Sequence, residues 1–308
     1  MKKYDLNQSA LYKCKSKNRL AKLLQIKLKD LMKLSKEPVY SVFYKKKANS
    51  QDYRKIISPD DDLKIVQRRI FQLLKKVIRP FWLTSGEKGK CYIDNAAIHK
   101  EANYILTVDI TKFFDSCKRE YVYRFFLNVM QVSSDVACIL SNLTTHNSQI
   151  PTGTSTSQVL AFYSYNNMFC EIKDLAKEFD CRFSLYVDDM TFSSDNAIKW
   201  KNLVNRIDVI LKKYGHSLNR KKTKYYTANM AKIVTGVVIT KDHKLCIPNK
   251  LRMKIVKKFK QMKIRKEPLR EHQKIQGMVS SARNIENKSF PEISRIVSIN
   301  LKESMKGN

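Results

Sequence analysis

Apolar and polar positions alternate along the chain in ways that predict its elements. Leu20, Leu23, Leu24, Ile26, Leu28 and Leu31 recur at near-helical spacing, which predicts helices in a basic N-terminal region. Ser41–Tyr44 and Tyr53–Ser58 read as short strands flanking a turn at Lys45-Lys46-Lys47. Leu63, Val66, Ile70, Leu73 and Val77 mark one face of an amphipathic helix over Asp62–Arg79, with Pro59 before it and Pro80 ending it. Tyr104–Asp109 is a β-rich run, and Ile110–Phe126 turns helical after it. Arg182–Ser193 alternates around Asp188-Asp189, the signature of a hairpin. A helix from about Ile198 to Tyr214 follows, then strand-like Lys232–Thr240 and Lys244–Ile247. The last sixty residues are helical, with an apolar stripe of Ile255, Phe259 and Met262. This order predicts an α+β fold with a mainly antiparallel sheet.

Composition narrows the function. The chain has 308 residues, 43% of them hydrophobic, which suits one large domain or a few lobes sharing a core. Its 60 Lys and Arg outweigh 28 Asp and Glu, for a net charge of +32. A polyanion is the expected partner, nucleic acid before a membrane surface, and no hydrophobic anchor supports the membrane. Only seven glycines occur, and none forms a GxGxxG or GxxxxGK loop. A Rossmann site and a Walker P-loop are therefore excluded, and any bound phosphate must be held by metal and basic side chains. The seven cysteines make no CxxC pair, which excludes a zinc ribbon. With no signal-like N-terminus, they read as reduced thiols of a cytoplasmic protein. The longest stretch without a charged side chain, Val136–Cys170, is too rich in Ser, Thr, Asn and Gln to span a membrane.

Three acids stand out in so basic a chain. Asp109 ends the predicted strand Tyr104–Asp109, and Asp188 and Asp189 sit at the tip of the predicted hairpin. Alone, an Asp-Asp pair is most often a solvated turn, and an Asp after a strand a helix cap. Together they offer what Mg²⁺ needs, one or two carboxylates to be completed by substrate phosphates. If strand and hairpin pair side by side, Asp109 and Asp188 converge.

The order of motifs resembles that of reverse transcriptases, over most of the chain. Tyr186-Val187-Asp188-Asp189 resembles the family's YxDD motif. Thr107-Val108-Asp109, followed by Phe114, resembles its first aspartate motif. Ile150-Pro151-Thr152-Gly153 falls where the family carries a PQG segment, with Thr152 standing in place of the usual Gln. Gly215-His216-Ser217-Leu218-Asn219, continuing to Lys221-Lys222-Thr223, resembles the lysine-bearing motif, and Val234-Thr235-Gly236 the primer grip. Asn95-Ala96-Ala97-Ile98-His99 resembles the NAxxH segment of the bacterial retron branch, and Val234-Thr235-Gly236 its VTG signature.

The resemblance implies a role for each position. Asp109 and Asp188 would ligate two Mg²⁺ ions with the Ile110 carbonyl, Asp189 being a weaker ligand or a support for the others. Lys222, or else Lys221, would protonate the leaving pyrophosphate. Phe114 would be the steric gate that selects dNTPs, and Arg54, Thr152 and Gly153 would contact the incoming nucleotide, with added charge from Lys47. Val234, Thr235 and Gly236 would lie at the primer. Lys254, Lys257 and Lys258, on a stretch (Leu251–Arg270) with nine basic residues and one acid, would grip the template–primer backbone. Asn95 and His99 would shape a surface for RNA, although a lone histidine is more often a satisfied core residue. The hydroxyl-rich stretch after Pro151 would form a helix backing the active site.

The implied architecture is a right-handed polymerase. Residues 1–100 would be N-terminal helices and fingers, 101–244 the palm with the aspartates, and 245–308 a basic helical thumb. The implied activity is that of a retron RNA-directed DNA polymerase. It would bind a cognate non-coding RNA, prime from a guanosine 2′-OH and make a branched RNA–DNA hybrid (msDNA). An anti-phage setting, a defence effector protein and a host RNase H are the implied partners. The alternatives are a group II intron-like enzyme priming from a 3′-OH, or an RNA-binding scaffold.

Overall fold

Residues 3–46, 53–264 and 269–306 are described by the structure, a computed structural model. Lys47, named above for its charge, lies outside the described residues. Helix α1 (Lys17–Leu24) begins where the Ser16 hydroxyl accepts from the Arg19 N–H, and ends at Gln25 in the left-handed region. Helix α2 (Leu28–Lys36) follows, and then β1 (Tyr40–Lys46), antiparallel to β2 (Tyr53–Pro59). Asp60 caps α3 (Asp61–Leu74) by accepting from the Leu63 N–H at 2.9 Å. The helix stops at Leu74, short of the expected Arg79. The reason is non-local: the N-terminal segment pairs with the next residues, Tyr4 exchanging backbone hydrogen bonds with Lys76 and Ile78. A six-residue helix, α4 (Tyr92–Ala97), then leads to the central sheet.

Strand β3 (Tyr104–Asp109) matches its sequence prediction. The helical stretch expected after it is broken into α5 (Phe113–Ser116) and α6 (Arg119–Arg124), with a π-turn at Phe125–Val129. Between α5 and α6 the chain is pulled open by Ser148–Ile150, whose backbone bonds to Cys117 and Arg119. Helices α7 (Ser134–Thr144), α8 (Ser157–Ser164) and α9 (Asn166–Glu178) come next. They take up most of the long uncharged stretch, and their burial explains its lack of charge: Leu140, Leu143, Leu160, Phe169 and Ile172 all lie in the main core.

The hairpin is β4 (Arg182–Tyr186) and β5 (Asp189–Ser194), followed by α10 (Trp200–Lys213) and β6 (Lys224–Tyr226). The sheet runs β4-β5-β3-β6 with every pair antiparallel. Side chains alternate between its faces. Leu106, Val108, Phe183, Leu185, Met190 and Phe192 fill the main core on one face. The register places Ile105, Thr107, Asp109, Ser184, Tyr186, Asp189, Thr191 and Ser193 on the other. A second small sheet, β7 (Lys232–Val234), β8 (Val237–Ile239) and β9 (Leu245–Cys246), packs with Ala96 and Ile105 in a separate apolar cluster. The C-terminal helices α11 (Asn249–Ile264), α12 (Leu269–Ile285) and α13 (Pro291–Lys306) bury a cluster of their own around Ile255, Ile275, Val279 and Val297. All seven cysteines are free thiols. Among the described residues, no helix is long and apolar enough to cross a membrane.

Gly153 ties α8's approach to the β1–β2 ribbon. Its φ of 119° lies where L side chains rarely go, and an added Cβ would sit 2.9 Å from Ile56 Cγ2. Gly153→Ala is expected to destabilise the fold by about 1–3 kcal/mol, read from urea unfolding. An unchanged midpoint would mean the ribbon moves aside freely.

Candidate active site

Strand pairing brings the three acids together. Asp109 and Asp189 face each other across β3 and β5, and Tyr186 faces Asp189 across the hairpin. The two residues between, Val187 and Asp188, form its turn. Val187 has φ 61°, a conformation costly for a β-branched side chain, which must be held from outside. The Ser85 hydroxyl does so, accepting from the Val187 N–H at 2.9 Å.

The cluster is short of positive charge. Asp109 is 7% exposed. Burial, then repulsion from Asp109, pushes the Asp188 carboxyl up to about 6, against the pull of Lys222 and Arg54. Burial, then Asp188 and Asp109, pushes Asp189 up to about 7. Lys222 Nζ donates to Asp109 Oδ1 at 3.0 Å, and Asn219 Nδ2 to Asp109 Oδ2 at 3.0 Å. Burial pulls the Lys222 pKa down, but the Asp109 carboxylate outweighs it and the net shift is upward. The Asn219 N–H also donates to the Asp109 carbonyl at 2.8 Å, and Thr111 N–H to the Ser217 carbonyl. These two bonds flank the Ile110–Leu218 bridge and leave the Ile110 carbonyl out of it.

Among the described residues, no three His, Cys, Asp or Glu side chains form a finished metal cage. Mg²⁺ does not require one, since it keeps waters and takes substrate phosphates beside one or two carboxylates. Two acids raised by burial and then by repulsion, in a cluster where a lysine ammonium already sits on a third, fit such an ion. A groove of ≈ 470 Å³ opens from the acids, lined also by Tyr186, Lys221, Lys222, Lys224, Thr235 and Gly236.

The nucleotide candidates surround the acids unequally. Arg54, exposed on β2, is close enough to Asp188 to lower its pKa. Phe114 is half-buried, its ring 5.4 Å from that of Phe113, which is buried against Tyr165, Phe169 and His216. Thr152 gives its carbonyl to the Ile57 N–H at 2.9 Å, and Gly153 is pressed against Ile56, so both dock the ribbon.

The sequence profile of the family described as Reverse transcriptase (RNA-dependent DNA polymerase) matches residues 44–278. The chain belongs to that family. It is 29% identical over 188 residues to the Retron Se72 reverse transcriptase of Salmonella heidelberg (strain 579083-10), covering 60% of this chain and 50% of that one. It is 24% identical over 273 residues to the Retron Ec83 reverse transcriptase of Escherichia coli, covering 83% and 86%. The Retron Ec86 reverse transcriptase of Escherichia coli is 25% identical over 205 residues, covering 66% and 63%. The chain thus spans half the length of the Se72 relative and most of the Ec83 one. All three of these relatives are retron reverse transcriptases, the bacterial enzymes to which the chain is similar.

Within this reverse transcriptase, several candidates lie elsewhere than expected. Asn95 and His99, assigned above to an RNA surface, are 0% exposed and cannot touch RNA. Asn95 Oδ1 accepts from the Thr84 hydroxyl at 2.7 Å. The two ring nitrogens of His99 lie 2.7 Å from the hydroxyls of Ser193 and Ser184. Lys258 is held by Glu271 at 2.7 Å, so its charge is spent within the C-terminal helices, whereas Lys254 and Lys257 are exposed. Val234 is buried. Thr235 and Gly236, with φ 45° and 84°, form the tight turn of the β7–β8 hairpin, and both line the groove. Asn219, on Asp109, and Ser85, on Val187, join the site without a role implied by the motifs. The motif around Lys222 contained the first; nothing local marks the second.

His99 makes a pH prediction. Burial holds its ring neutral, with a pKa of about 3. The unfolded chain, near 6.5, binds more protons between those values. The contribution of His99 is therefore whole above about pH 6.5 and is lost as pH falls toward 3. The stability advantage of wild type over His99→Gln should shrink by about 1.4 kcal/mol per pH unit from about pH 6 to 4, measured by denaturant unfolding. Parallel curves would contradict a neutral buried ring.

Proposed function

We propose that the chain is an RNA-directed DNA polymerase of retron type, adding deoxynucleotides to a primer on a structured RNA that it binds. The observation that carries this reading is the β3–β5 register, which sets Asp109 beside Asp189 with Asp188 at the adjoining turn, above a lysine-lined groove. Residues 1–100 would be N-terminal helices and fingers, 101–244 the palm and 245–308 the thumb. The separate apolar cluster of the C-terminal helices supports the last boundary.

Asp109 and Asp188, with the Ile110 carbonyl, would hold Mg²⁺, with Asp189 in support. Held by these residues, such ions would supply activation of the primer hydroxyl and neutralisation of the charge on the leaving pyrophosphate. The rest falls to the protein's own groups. Arg54 reaches over the site from β2 with a fork of donors suited to a triphosphate. Phe114 lies under the sugar, where its ring meets a ribose 2′-OH but not a 2′-hydrogen. Lys222, protonated and released from Asp109, donates its proton to the leaving pyrophosphate. The Thr235–Gly236 turn closes the groove at the primer end. Thr152, shorter than the family's Gln, serves through its backbone contact to Ile57. Lys254 and Lys257 meet nucleic-acid phosphates, consistent with a charge of +32.

The finer parts of the reading follow from the resemblance to retron enzymes alone: a cognate non-coding RNA, a guanosine 2′-OH primer, and an msDNA product acting with an effector protein in phage defence. Removal of RNA falls to a host RNase H.

Asp109→Asn and Asp188→Asn should each cut primer extension at least about 1,000-fold while RNA affinity stays within about twofold, measured by single-turnover extension and filter binding. Extension near the wild-type rate would remove the acids from the chemistry. Phe114→Ala should raise ribonucleotide incorporation relative to deoxynucleotide by about tenfold or more, read from competing-nucleotide extension. Unchanged discrimination would remove Phe114 as the gate.

A further inference from the structure

A buried polar network lies behind the Val187–Asp188 turn, and none of its side chains lines the groove. It begins at Trp82–Ser85, which runs beside β4. The Leu185 N–H donates to the Trp82 carbonyl at 2.8 Å, and the Thr84 N–H to the Leu185 carbonyl at 3.0 Å. The Thr84 hydroxyl reaches Asn95 Oδ1 at 2.7 Å, and Ser85 accepts from the Val187 N–H at 2.9 Å. Four residues on from Asn95, His99 bridges the hairpin: Ser184 belongs to β4 and Ser193 to β5. With a neutral ring, one nitrogen donates to one hydroxyl and the other accepts from the second. Both serines lie on the sheet face that carries Asp109 and Asp189.

The same short helix also reaches the other side of the groove. The Thr235 hydroxyl donates to the Tyr92 carbonyl at 2.7 Å, at the first residue of α4. Ala96 packs with Ile105, Val234 and Val237. Trp82–Ser85 and α4, joined through Thr84 and Asn95, therefore link the Val187 N–H to the turn that bears Gly236.

A purely structural brace could be apolar at less cost, because buried hydroxyl and imidazole groups need every partner in place. What such a network adds is a single geometry. Val187 shows where one is needed, since its backbone conformation persists only under external constraint. We propose that Ser85, Asn95 and His99 are positioning residues, which fix Asp188 relative to Asp109 and lock the catalytic turn to the Thr235–Gly236 turn. This rests on the polymerase reading above. Ser85 sets the reach of the Asp188 turn, His99 the spacing of the two strands beneath it, and Asn95 the seat of α4.

Ser85→Ala tests this with the least disturbance, because it removes one acceptor and adds no bulk. His99→Gln and the Ser184→Ala/Ser193→Ala pair remove the bridge from either side. The full chain would be assayed with primed RNA for kcat, dNTP KM and the Mg²⁺ concentration giving half-maximal rate. Mn²⁺ binding would be counted by electron paramagnetic resonance with a non-hydrolysable dNTP, and thermal unfolding and RNA affinity measured alongside. For Ser85→Ala we expect unfolding within a few degrees of wild type and RNA affinity within twofold. Half-saturating Mg²⁺ should rise at least fivefold, Mn²⁺ binding should weaken in step, and kcat should fall tenfold or more. His99→Gln, which keeps a donor and an acceptor, should lose less than the double serine variant. A wild-type metal dependence in Ser85→Ala would overturn the proposal. So would a loss of rate in all variants that follows the loss of folded protein, with the metal curve unmoved. A wild-type protein that extends no primer would instead overturn the polymerase reading, and this inference with it.

Discussion

Everything in this protein depends on the antiparallel pairing of β3 with β5. Because strand side chains alternate, a one-residue slip would turn Asp109 away from Asp189 and toward the core. The register is enforced from below by Leu106, Val108, Met190 and Phe192, which fill the main core. The acids are thus set by apolar packing on the opposite face of their own strands. Their burial and mutual repulsion raise the Asp188 and Asp189 carboxyls, the electrostatics that a nearby cation relieves. Lys222 and Arg54 supply part of that positive charge.

The sheet's polar face is divided into two ends. Its near end, with Asp109, Asp189 and Thr191, opens into the groove. Its far end is covered by α4 and the small β7–β9 sheet, and there His99 is bonded to Ser184 and Ser193, and Asn95 Oδ1 to Thr84. The acids and the buried serines therefore share one surface, a few residues apart along the same strands. The charge pattern follows the same logic. The long uncharged stretch lies in the core, while the lysines at 221, 222 and 224 line the groove.

Much of the site was legible in the sequence. Tyr104–Asp109 and the hairpin around Asp188 carry period-2 patterns that local chemistry alone produces, and their acids are conspicuous against a charge of +32. What escaped was decided by distant partners. The third helix ends at Leu74 because Tyr4 claims Lys76 and Ile78, and the helix after Asp109 breaks because Ser148–Ile150 claims Cys117 and Arg119. Asn95 and His99 are polar residues whose burial depends on Thr84, Ser184 and Ser193, none of them near in sequence, so their place inside the fold was hidden. Ser85 was invisible for the same reason. Thr152 and Gly153 sit at a family motif, yet the contacts they make are with the β2 backbone and Ile56.

The central claim is that Asp109 and Asp188 form one cation-binding point, from which Lys222 must withdraw. The most direct measurement is a crystal structure with primed RNA, a non-hydrolysable dNTP and Mn²⁺, using the anomalous signal to locate the ions. The account predicts Mn²⁺ shared between the Asp109 and Asp188 carboxylates, with Lys222 moved off Asp109 toward the phosphates. Mn²⁺ bound elsewhere, with the Lys222–Asp109 ion pair intact, would contradict it.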